Sequence, residues 1–216
     1  MITITTYSWV PPFAQGLVRD LRVRWALEEA GLPYRANLIA HPDRLSAGHV
    51  GKQPFAQVPV YEEDDLVLFE SGAIVLHIGE KSEALLPKDA VAKARATQWI
   101  FAALNSIEQF VSNYVFLDAF YANEEWAKLR KPSAREQLVA RLKQLSQRLD
   151  GRDYLEGQFT AGDLMMSSVL RIMRDSEVLD GLPNLAKYRA RCEARPAFQK
   201  ALADNMAPYA EHAPAA

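Results

Sequence analysis

Apolar and polar residues alternate in two short runs near the start of the chain, ITITTY and YRANLIA. Alternation with period two is typical of a β-strand that buries one face. Further along, the runs VPVY and LVLF are joined by four acidic residues, which is the pattern of a β-hairpin. The polar stretch 41–57, which contains two prolines, separates these two regions and predicts a loop with one irregular helical turn.

The segment between the first two predicted strands has a helical pattern instead. Leu17, Leu21 and Trp25 recur at intervals of four residues, which places them on one face of an α-helix. Gly31, followed two residues later by a proline, predicts the end of that helix. After the hairpin, the run SGAIVLHIGEK predicts a closing helix. The order of elements is therefore β-α-β followed by β-β-α.

Strand patterns nearly vanish after residue 84, and the remainder of the chain is typical of helices. We therefore predict two domains, residues 1–82 and residues 90–210. One apolar helix face is marked by leucines: they are Leu138, Leu142, Leu145 and Leu149. Two capping boxes predict where helices begin: Ser133 with Glu136, and Thr160 with Asp163. We interpret the second box as structural, because capping explains both of its residues without a ligand.

The composition and charge argue against several classes of partner. The 216 residues are 49% hydrophobic and 24% charged, with a net charge of −2 and no basic stripe of the kind that binds nucleic acid. No apolar run approaches the roughly 20 residues that span a bilayer, and the N-terminus lacks the pattern of a signal peptide. The single cysteine, Cys192, permits no intramolecular disulfide. We expect a cytoplasmic protein that binds neither membranes nor nucleic acid.

Four short motifs follow one another along the chain: EEAGLPY, QVPV, FESGAI and TAGD. Their order and spacing resemble the cytosolic glutathione S-transferase family, and the resemblance extends from about Ile2 to about Met206. It implies an α/β plus all-α protein, in which a thioredoxin-like βαβ-ββα domain is followed by a C-terminal helical bundle. The segment SWVPPFAQGLVRDL, between the first strand and the first helix, is longer than is usual in the family.

The resemblance implies a glutathione site on the first domain. Val58-Pro59 matches the family's cis-proline motif, which leaves the backbone of the preceding residue available to the cysteinyl part of the tripeptide. Glu70 would bind the γ-glutamyl ammonium, and Ser71, at a helix start, would bind the γ-glutamyl carboxylate. Gln57 matches a position that helps to hold the glycyl end. Three loop cations could neutralise the glycyl carboxylate: His41, Arg44 and Lys52. The alternative without a ligand is that Glu70 and Ser71 only cap a helix.

The reaction that the resemblance implies depends on the glutathione thiolate. A free thiol with a pKa of ~8.5 is only slightly ionised at neutral pH, and the thiolate is the nucleophile. Lowering that pKa by about 2 units requires roughly 2.7 kcal/mol, which one hydrogen bond to the anion and a helix N-terminus can supply together. Tyr7 and Ser8 stand at the end of the first strand, as the family's donor does. Arg19 falls near that place if the alignment is anchored on the first helix instead.

The second substrate is expected to be a small apolar electrophile, and its conjugation is the family's route to detoxification. Aromatic residues on the long helical segment, with Phe110 and Tyr114 as first candidates, could line its pocket at the domain cleft or could belong to the core. The resemblance also implies a homodimer, glutathione as co-substrate and no metal ion.

Other functions stay open at this stage. A non-catalytic glutathione-binding protein of the same fold would carry the same motifs. Peroxide reduction and double-bond isomerisation use the same activated thiol, so the sequence does not separate them from conjugation. A thioredoxin- or glutaredoxin-type oxidoreductase would need an active-site cysteine, and the first 191 residues contain none.

Overall fold

A computed structural model describes residues 1–214 of the chain. Within this range the strands are Ile2–Tyr7 (β1), Tyr34–Ile39 (β2), Val60–Glu63 (β3) and Leu66–Leu68 (β4). They form one mixed sheet in the order β2-β1-β3-β4. β1 runs parallel to β2 and antiparallel to β3, and β3 and β4 form the predicted hairpin.

Helices complete the predicted βαβ-ββα order in the first region. They are Asp20–Ala30 (α1), Ala47–Val50 (α2) and Ser71–Gly79 (α3). The stretch predicted as a loop contains α2 and, before it, a 3₁₀ segment at His41–Leu45. α1 ends as predicted, because Gly31 has a left-handed conformation with φ 66° and the Leu32 N–H donates to the Leu27 carbonyl at 3.0 Å.

Helices account for nearly all of the regular structure in the rest of the chain. They are Ala90–Ala102 (α4), Gln109–Tyr121 (α5), Glu125–Arg148 (α6), Ala161–Arg171 (α7), Pro183–Glu193 (α8) and Pro196–Glu211 (α9). A π-helical segment, Ala103–Glu108, joins α4 to α5. Among the described residues, no helix combines the length and the apolar character that crossing a membrane requires.

The described residues divide into two compact units. One contains Met1–Leu85 together with the chain from Arg195 onward, and the other contains Leu86–Ala194. The division proposed from the sequence assigned α9 to the helical domain, whereas here this helix packs within the first unit. The rings of Trp25 on α1 and Phe198 on α9 meet edge to face, with centroids 4.8 Å apart.

α1 carries charged groups into the interior of the first unit. The fully buried carboxylate of Asp20 accepts hydrogen bonds from Arg24 Nε at 2.8 Å and from Asn205 Nδ2 of α9 at 3.1 Å. A buried charge is costly unless it is paired and hydrogen bonded, and this cluster meets that requirement. The same contacts fasten α9 to α1.

One predicted helix start is wrong. Ser133 does not begin a helix, because α6 already starts at Glu125 and continues through Pro132. The residues before the proline are good helix formers, and the Ser133 hydroxyl donates to the Arg130 carbonyl at 3.0 Å within the helix. The apolar face predicted further along is confirmed, since Leu138, Leu142 and Leu145 are buried.

The second predicted helix start is confirmed at α7. The Thr160 hydroxyl accepts from the Gly162 N–H at 3.2 Å, and the Asp163 carboxylate accepts from the Thr160 N–H at 3.0 Å. Tyr188 of α8 also donates its hydroxyl to Asp163, at 2.9 Å. A Cβ on Gly162 would come within 2.5 Å of the Trp99 Cβ, so glycine is required where α7 approaches α4. Every residue of the TAGD motif therefore has a structural explanation except the small Ala161, which is simply buried.

We expect Thr160→Ala to lower the free energy of unfolding by about 1 kcal/mol, because the substitution removes a helix cap. A urea unfolding curve measures this change. Ser168→Ala is the matched control, since it removes a hydroxyl that bonds to the Leu164 carbonyl inside the same helix. The affinity for glutathione, the expected ligand, should stay at the wild-type value in both variants. Lost affinity at unchanged stability in Thr160→Ala would contradict the structural interpretation.

Candidate functional site

The predicted peptide-reading position, here named the peptide edge, lies just before β3, an inner strand of the sheet. The peptide bond between Val58 and Pro59 is cis, as the resemblance implied. The β1–β3 register ends with Thr5 opposite Val60, so Val58 lies just beyond the paired residues. Its side chain is buried while its backbone stands outside the ladder. An extended peptide can hydrogen bond to backbone groups placed in this way.

Polar side chains contact the backbone of the loop before the peptide edge. His49 Nε2 lies 2.8 Å from the carbonyl oxygen of Gln57. Because a carbonyl oxygen only accepts, the histidine ring donates this hydrogen bond. Arg44 Nη1 donates to the Ala56 carbonyl at 3.3 Å. Lys52 instead forms an exposed ion pair with Glu62 at 2.7 Å. Arg44 therefore lies next to the candidate site, whereas the charge of Lys52 already has a partner.

The Glu70-Ser71 pair combines a strained backbone with a helix start. Glu70 is exposed and has φ 69° and ψ 110°, a backbone conformation that residues other than glycine rarely adopt. Such outliers concentrate at ligand-binding positions, where surrounding structure maintains them. Ser71 is the first residue of α3 and is buried. The free N–H groups and the helix dipole at this end favour an anion.

Arg22 on α1 is a site neighbour that the sequence analysis missed. Its Nη1 donates to the Ser71 hydroxyl oxygen at 3.3 Å, and both side chains are buried. The helical pattern of α1 gave no indication of this contact, because Ser71 is 49 positions away in the sequence. Only the packing of α1 against α3 brings the two residues together.

Tyr7 closes β1 and is half-buried. Its ring lies against that of His41, with centroids 5.3 Å apart. Burial disfavours the phenolate and raises the pKa of Tyr7, and the positive charge of Arg44 opposes this effect without cancelling it. The hydroxyl therefore stays protonated at neutral pH, which is the form that donates a hydrogen bond.

The two other thiolate candidates lie on the segment between β1 and α1. The Ser8 N–H donates to the Ile39 carbonyl at 2.9 Å, which extends the pairing of β1 with β2 by one residue. The segment then folds back on itself, and Gln15 Nε2 donates to the Val10 carbonyl at 3.1 Å. Arg19 is exposed directly before α1. Tyr7 and Ser8 are thus neighbours at the strand end, and Arg19 stands at the helix start.

The predicted pocket residues belong to the second unit, where both are half-buried. Phe110 lies under the guanidinium of Arg141, 5.0 Å from the ring centroid. Tyr114 packs against a small core cluster of Leu117, Ala127 and Ala134. These contacts account for part of each ring's surface. Other aromatic residues of this region are more exposed: they are Phe116, Phe120, Tyr121 and Trp126.

Metal-ligating side chains are not grouped among the described residues. Within residues 1–214, no set of three or more His, Cys, Asp or Glu side chains is placed to hold a metal ion. The polar groups of the candidate site are instead backbone groups, hydroxyls, a carboxylate and guanidinium groups.

Two family models match this chain. The N-terminal domain of glutathione S-transferase matches residues 3–80, and the C-terminal domain of glutathione S-transferase matches residues 109–205. The first match covers the sheet except for Ile2, and it includes the candidate site around the cis proline.

Individual relatives and solved structures agree with these family models. The chain is 27% identical to glutathione S-transferase 4 of Zea mays, over 91% of both chains. A crystal structure of a glutathione transferase from Burkholderia graminis, with two glutathione molecules bound per subunit, is 25% identical, with a TM-score of 0.81, and the match covers 93% of this chain and 87% of that one. The disulfide-bond oxidoreductase YghU of Escherichia coli is 31% identical over 44% of this chain and 35% of its own length.

Proposed function

Because the chain belongs to the glutathione S-transferase family, we propose that it activates the thiol of glutathione for attack on a small apolar electrophile. The observation that carries this proposal is the arrangement in the first unit of the Val58 backbone, which lies outside the strand pairing, and the Glu70-Ser71 helix start. The Val58 backbone offers hydrogen-bonding groups to an extended peptide, and the helix start offers partners for the ammonium and carboxylate of the γ-glutamyl end.

Each part of the tripeptide has a candidate partner. The Val58 backbone would bind the cysteinyl residue, Glu70 the γ-glutamyl ammonium and Ser71 the γ-glutamyl carboxylate. For the glycyl carboxylate we favour Arg44 with Gln57, because Arg44 already donates to the backbone next to Gln57. The ion pair of Lys52 with Glu62 is an argument against Lys52 in this role.

We assign the hydrogen bond that stabilises the thiolate to Tyr7. Its burial keeps the hydroxyl protonated, and it stands at the end of β1 in the same unit as the peptide edge. A hydrogen bond to a charged acceptor contributes about 1.5–3 kcal/mol, which would lower a thiol pKa by about 1–2 units. Ser8 and Arg19 are the alternatives, and each is tested separately below.

The electrophile would be bound by aromatic side chains of the second unit. Phe110 and Tyr114 are the candidates, and their half-buried rings favour a small apolar partner. The conjugate leaves as a thioether: the thiolate sulfur forms the new bond to carbon, and a leaving group such as halide departs with the electron pair. A product of this kind is more polar than the electrophile, which agrees with a detoxifying role in the cytoplasm.

The deciding experiment is a rate measurement with purified protein. Glutathione is mixed with 1-chloro-2,4-dinitrobenzene, with an alkyl isothiocyanate or with cumene hydroperoxide, each with and without protein. S-methylglutathione, which has no thiol, is the matched control and should support no reaction. Conjugation above the uncatalysed rate is expected. Reduction of the hydroperoxide alone would instead assign a peroxidase, and tight glutathione binding without any turnover would assign a non-catalytic binding protein.

A second candidate function is glutathione-dependent disulfide reduction. The partial match to a disulfide-bond oxidoreductase and the two glutathione molecules in the Burkholderia graminis structure favour it. In this reaction two glutathione thiols reduce one disulfide, giving glutathione disulfide and two substrate thiols. The protein would need no cysteine of its own. Activity with 2-hydroxyethyl disulfide, compared with the aryl halide under the same conditions, separates the two functions.

We also propose that the protein is a homodimer, as the family resemblance implies. Analytical ultracentrifugation at micromolar concentration should give about twice the 24.2 kDa of one chain. A species of single-chain mass over that concentration range would contradict the proposal. Addition of glutathione should leave the mass unchanged, since the site described above lies within one chain.

A further inference from the structure

Apolar side chains form a contiguous exposed surface where α5 ends and α6 begins, within the second unit. Four aromatic rings contact one another in sequence, with neighbouring centroids 5.2, 6.4 and 5.0 Å apart: they belong to Phe116, Phe120, Tyr121 and Trp126. Leu129 lies one turn after Trp126 on α6. These five residues, here named the aromatic strip, are between 40% and 74% exposed. Apolar residues that are exposed together, and not singly, mark an interaction surface.

The charges around the aromatic strip cancel. Residues 116–131 carry three acidic and three basic side chains: they are Asp118, Glu124, Glu125, Lys128, Arg130 and Lys131. Lys131 pairs with Asp118 at 2.6 Å. Lys128 lies 3.9 Å from Glu125. Anionic lipids and nucleic acids select surfaces with an excess of basic groups, and this surface has no excess. The partner that suits it is therefore apolar and close to neutral.

Two charges beside the aromatic strip have no ionic partner among the described residues. One is the carboxylate of Glu124, which directly precedes α6. The other is the guanidinium of Arg130, which donates only to uncharged groups, the Ser133 hydroxyl and, at 2.9 Å, the side-chain oxygen of Gln137. Arg130 lies one turn after Trp126, on the same face of α6. The surface therefore carries one unmatched charge of each sign.

We infer that the aromatic strip is an interface with a second copy of this chain, in which the first turns of two α6 helices pack antiparallel about a two-fold axis. In such a pair, residues that lie equally far on either side of the axis face each other. The midpoint between Glu124 and Arg130 is position 127, and the midpoint between Trp126 and Leu129 lies within one residue of it. One axis therefore places Glu124 opposite Arg130 of the second copy, and Trp126 opposite Leu129 of the second copy.

This arrangement matches both unmatched charges and covers Leu129, which at 74% exposure is the most exposed residue of the aromatic strip. It also explains why a nearly neutral surface carries one unmatched charge of each sign, because a surface that binds its own copy must be complementary to itself. The interface does not depend on the proposed function, since it involves no residue assigned to glutathione or to the thiol.

The association should be weak. Stable interfaces contain roughly 20–30 residues on each side, whereas the aromatic strip and its two unmatched charges are seven residues. The contact should therefore form only at high protein concentration, in addition to any dimer that forms at micromolar concentration. Sedimentation equilibrium from about 5 µM to about 500 µM should show the mean mass rising toward twice its low-concentration value.

Charge reversal tests the pairing directly. Glu124→Arg and Arg130→Glu each place like charges opposite each other and should weaken the association at least about 10-fold. The double variant restores opposite charges and should recover the association. Leu129→Ser should also weaken it, because the apolar partner of Trp126 is lost. Lys143→Glu reverses an exposed charge further along α6 and is the matched control, which should associate as the wild type does.

Every other outcome overturns the inference. A wild-type mass that does not change with concentration excludes the interface. Association that survives in Leu129→Ser, or in either single reversal, involves another surface. Loss in both single reversals without recovery in the double variant excludes the antiparallel pairing. Circular dichroism identifies a reversal that fails to fold, and Leu129→Ser, which changes an exposed side chain, then decides the result alone.

The same variant identifies the other possible occupants of the aromatic strip. A protein of constant mass that binds phosphatidylserine vesicles, and loses this binding in Leu129→Ser, would have a lipid-binding surface instead. A constant mass with a raised KM for the electrophile in Leu129→Ser would assign the aromatic strip to the substrate pocket. Both results would overturn the inference. The mass at low concentration tests the proposed homodimer separately.

Discussion

Tyr7→Phe is expected to lower the glutathione-dependent rate at neutral pH by about 3- to 25-fold, because losing a hydrogen bond worth about 1.5–3 kcal/mol leaves a smaller fraction of the bound thiol ionised. The loss should appear in the bound thiol itself, as a pKa about 1–2 units higher in a titration of the thiolate absorbance in the near ultraviolet. Glutathione affinity should change little, since the partners of its peptide groups are untouched.

The pH dependence follows from the same assignment. Burial raises the pKa of Tyr7, so its hydroxyl remains a donor throughout the range in which the thiol ionises. The rate of the wild type should therefore rise with pH as the bound thiol loses its proton and should then level off. In Tyr7→Phe the rising limb should move to higher pH by about 1–2 units, and the two proteins should differ least at high pH, where both thiols are ionised.

Two further variants distinguish the alternatives to Tyr7. If Ser8→Ala shifts the thiol pKa and Tyr7→Phe does not, the donor is Ser8. If neither shifts it but Arg19→Ala does, the thiolate is stabilised by charge. A thiol pKa in the wild-type complex equal to that of free glutathione would contradict thiolate activation and would favour the non-catalytic alternative.

Glu70→Ala and Ser71→Ala are each expected to weaken glutathione binding by about 1.5–3 kcal/mol, or roughly 10- to 150-fold, because a charged ligand group loses its partner. Calorimetry measures both losses. The reaction rate at saturating glutathione should fall much less, since neither residue is assigned to the thiol. Unchanged affinity in both variants would contradict the proposed site.

The unusual backbone of Glu70 requires its own controls. Glu70→Gly removes the carboxylate but suits φ 69°, so an affinity loss equal to that of Glu70→Ala would assign the effect to the carboxylate and not to the backbone. Glu70→Gln keeps the size and removes the charge, and it should bind almost as weakly. Asp64→Ala changes another exposed acidic residue with positive φ, at the β3–β4 turn, and should leave affinity unchanged.

Much of the fold could be predicted because its signals are local. A strand is visible as alternation, a helix end as a glycine that tolerates left-handed φ, and a helix start as a capping pair, and each involves residues only a few positions apart. Gly31 and Thr160 behave as predicted for this reason. The wrong start at Ser133 has the same origin: the local pattern of a capping box was present, but the strong helix formers before it had already begun α6.

The candidate site was predictable in part. The cis bond at Val58-Pro59 and the helix start at Ser71 agree with the sequence analysis, although the functional roles assigned to them stay predictions. The choice among Tyr7, Ser8 and Arg19 was left open because the segment between β1 and α1 is longer than is usual in the family. The family's donor position can therefore be aligned either with the end of β1 or with the start of α1. The structure places these residues at a strand end and a helix start, and it adds the burial of Tyr7 as an argument for a hydroxyl donor.

The sequence by itself therefore determined the order of the elements, most of their ends and the motifs of the peptide edge, since these depend on short-range backbone preferences and on periodic burial. Only the tertiary structure decided that α9 packs on α1, that His49 bonds to the Gln57 carbonyl and that Arg22 reaches Ser71. The last two residues are 49 positions apart. Contacts of that kind depend on how finished helices and strands pack side by side, and packing leaves no periodic pattern in one chain from which the partners of a buried arginine could be predicted.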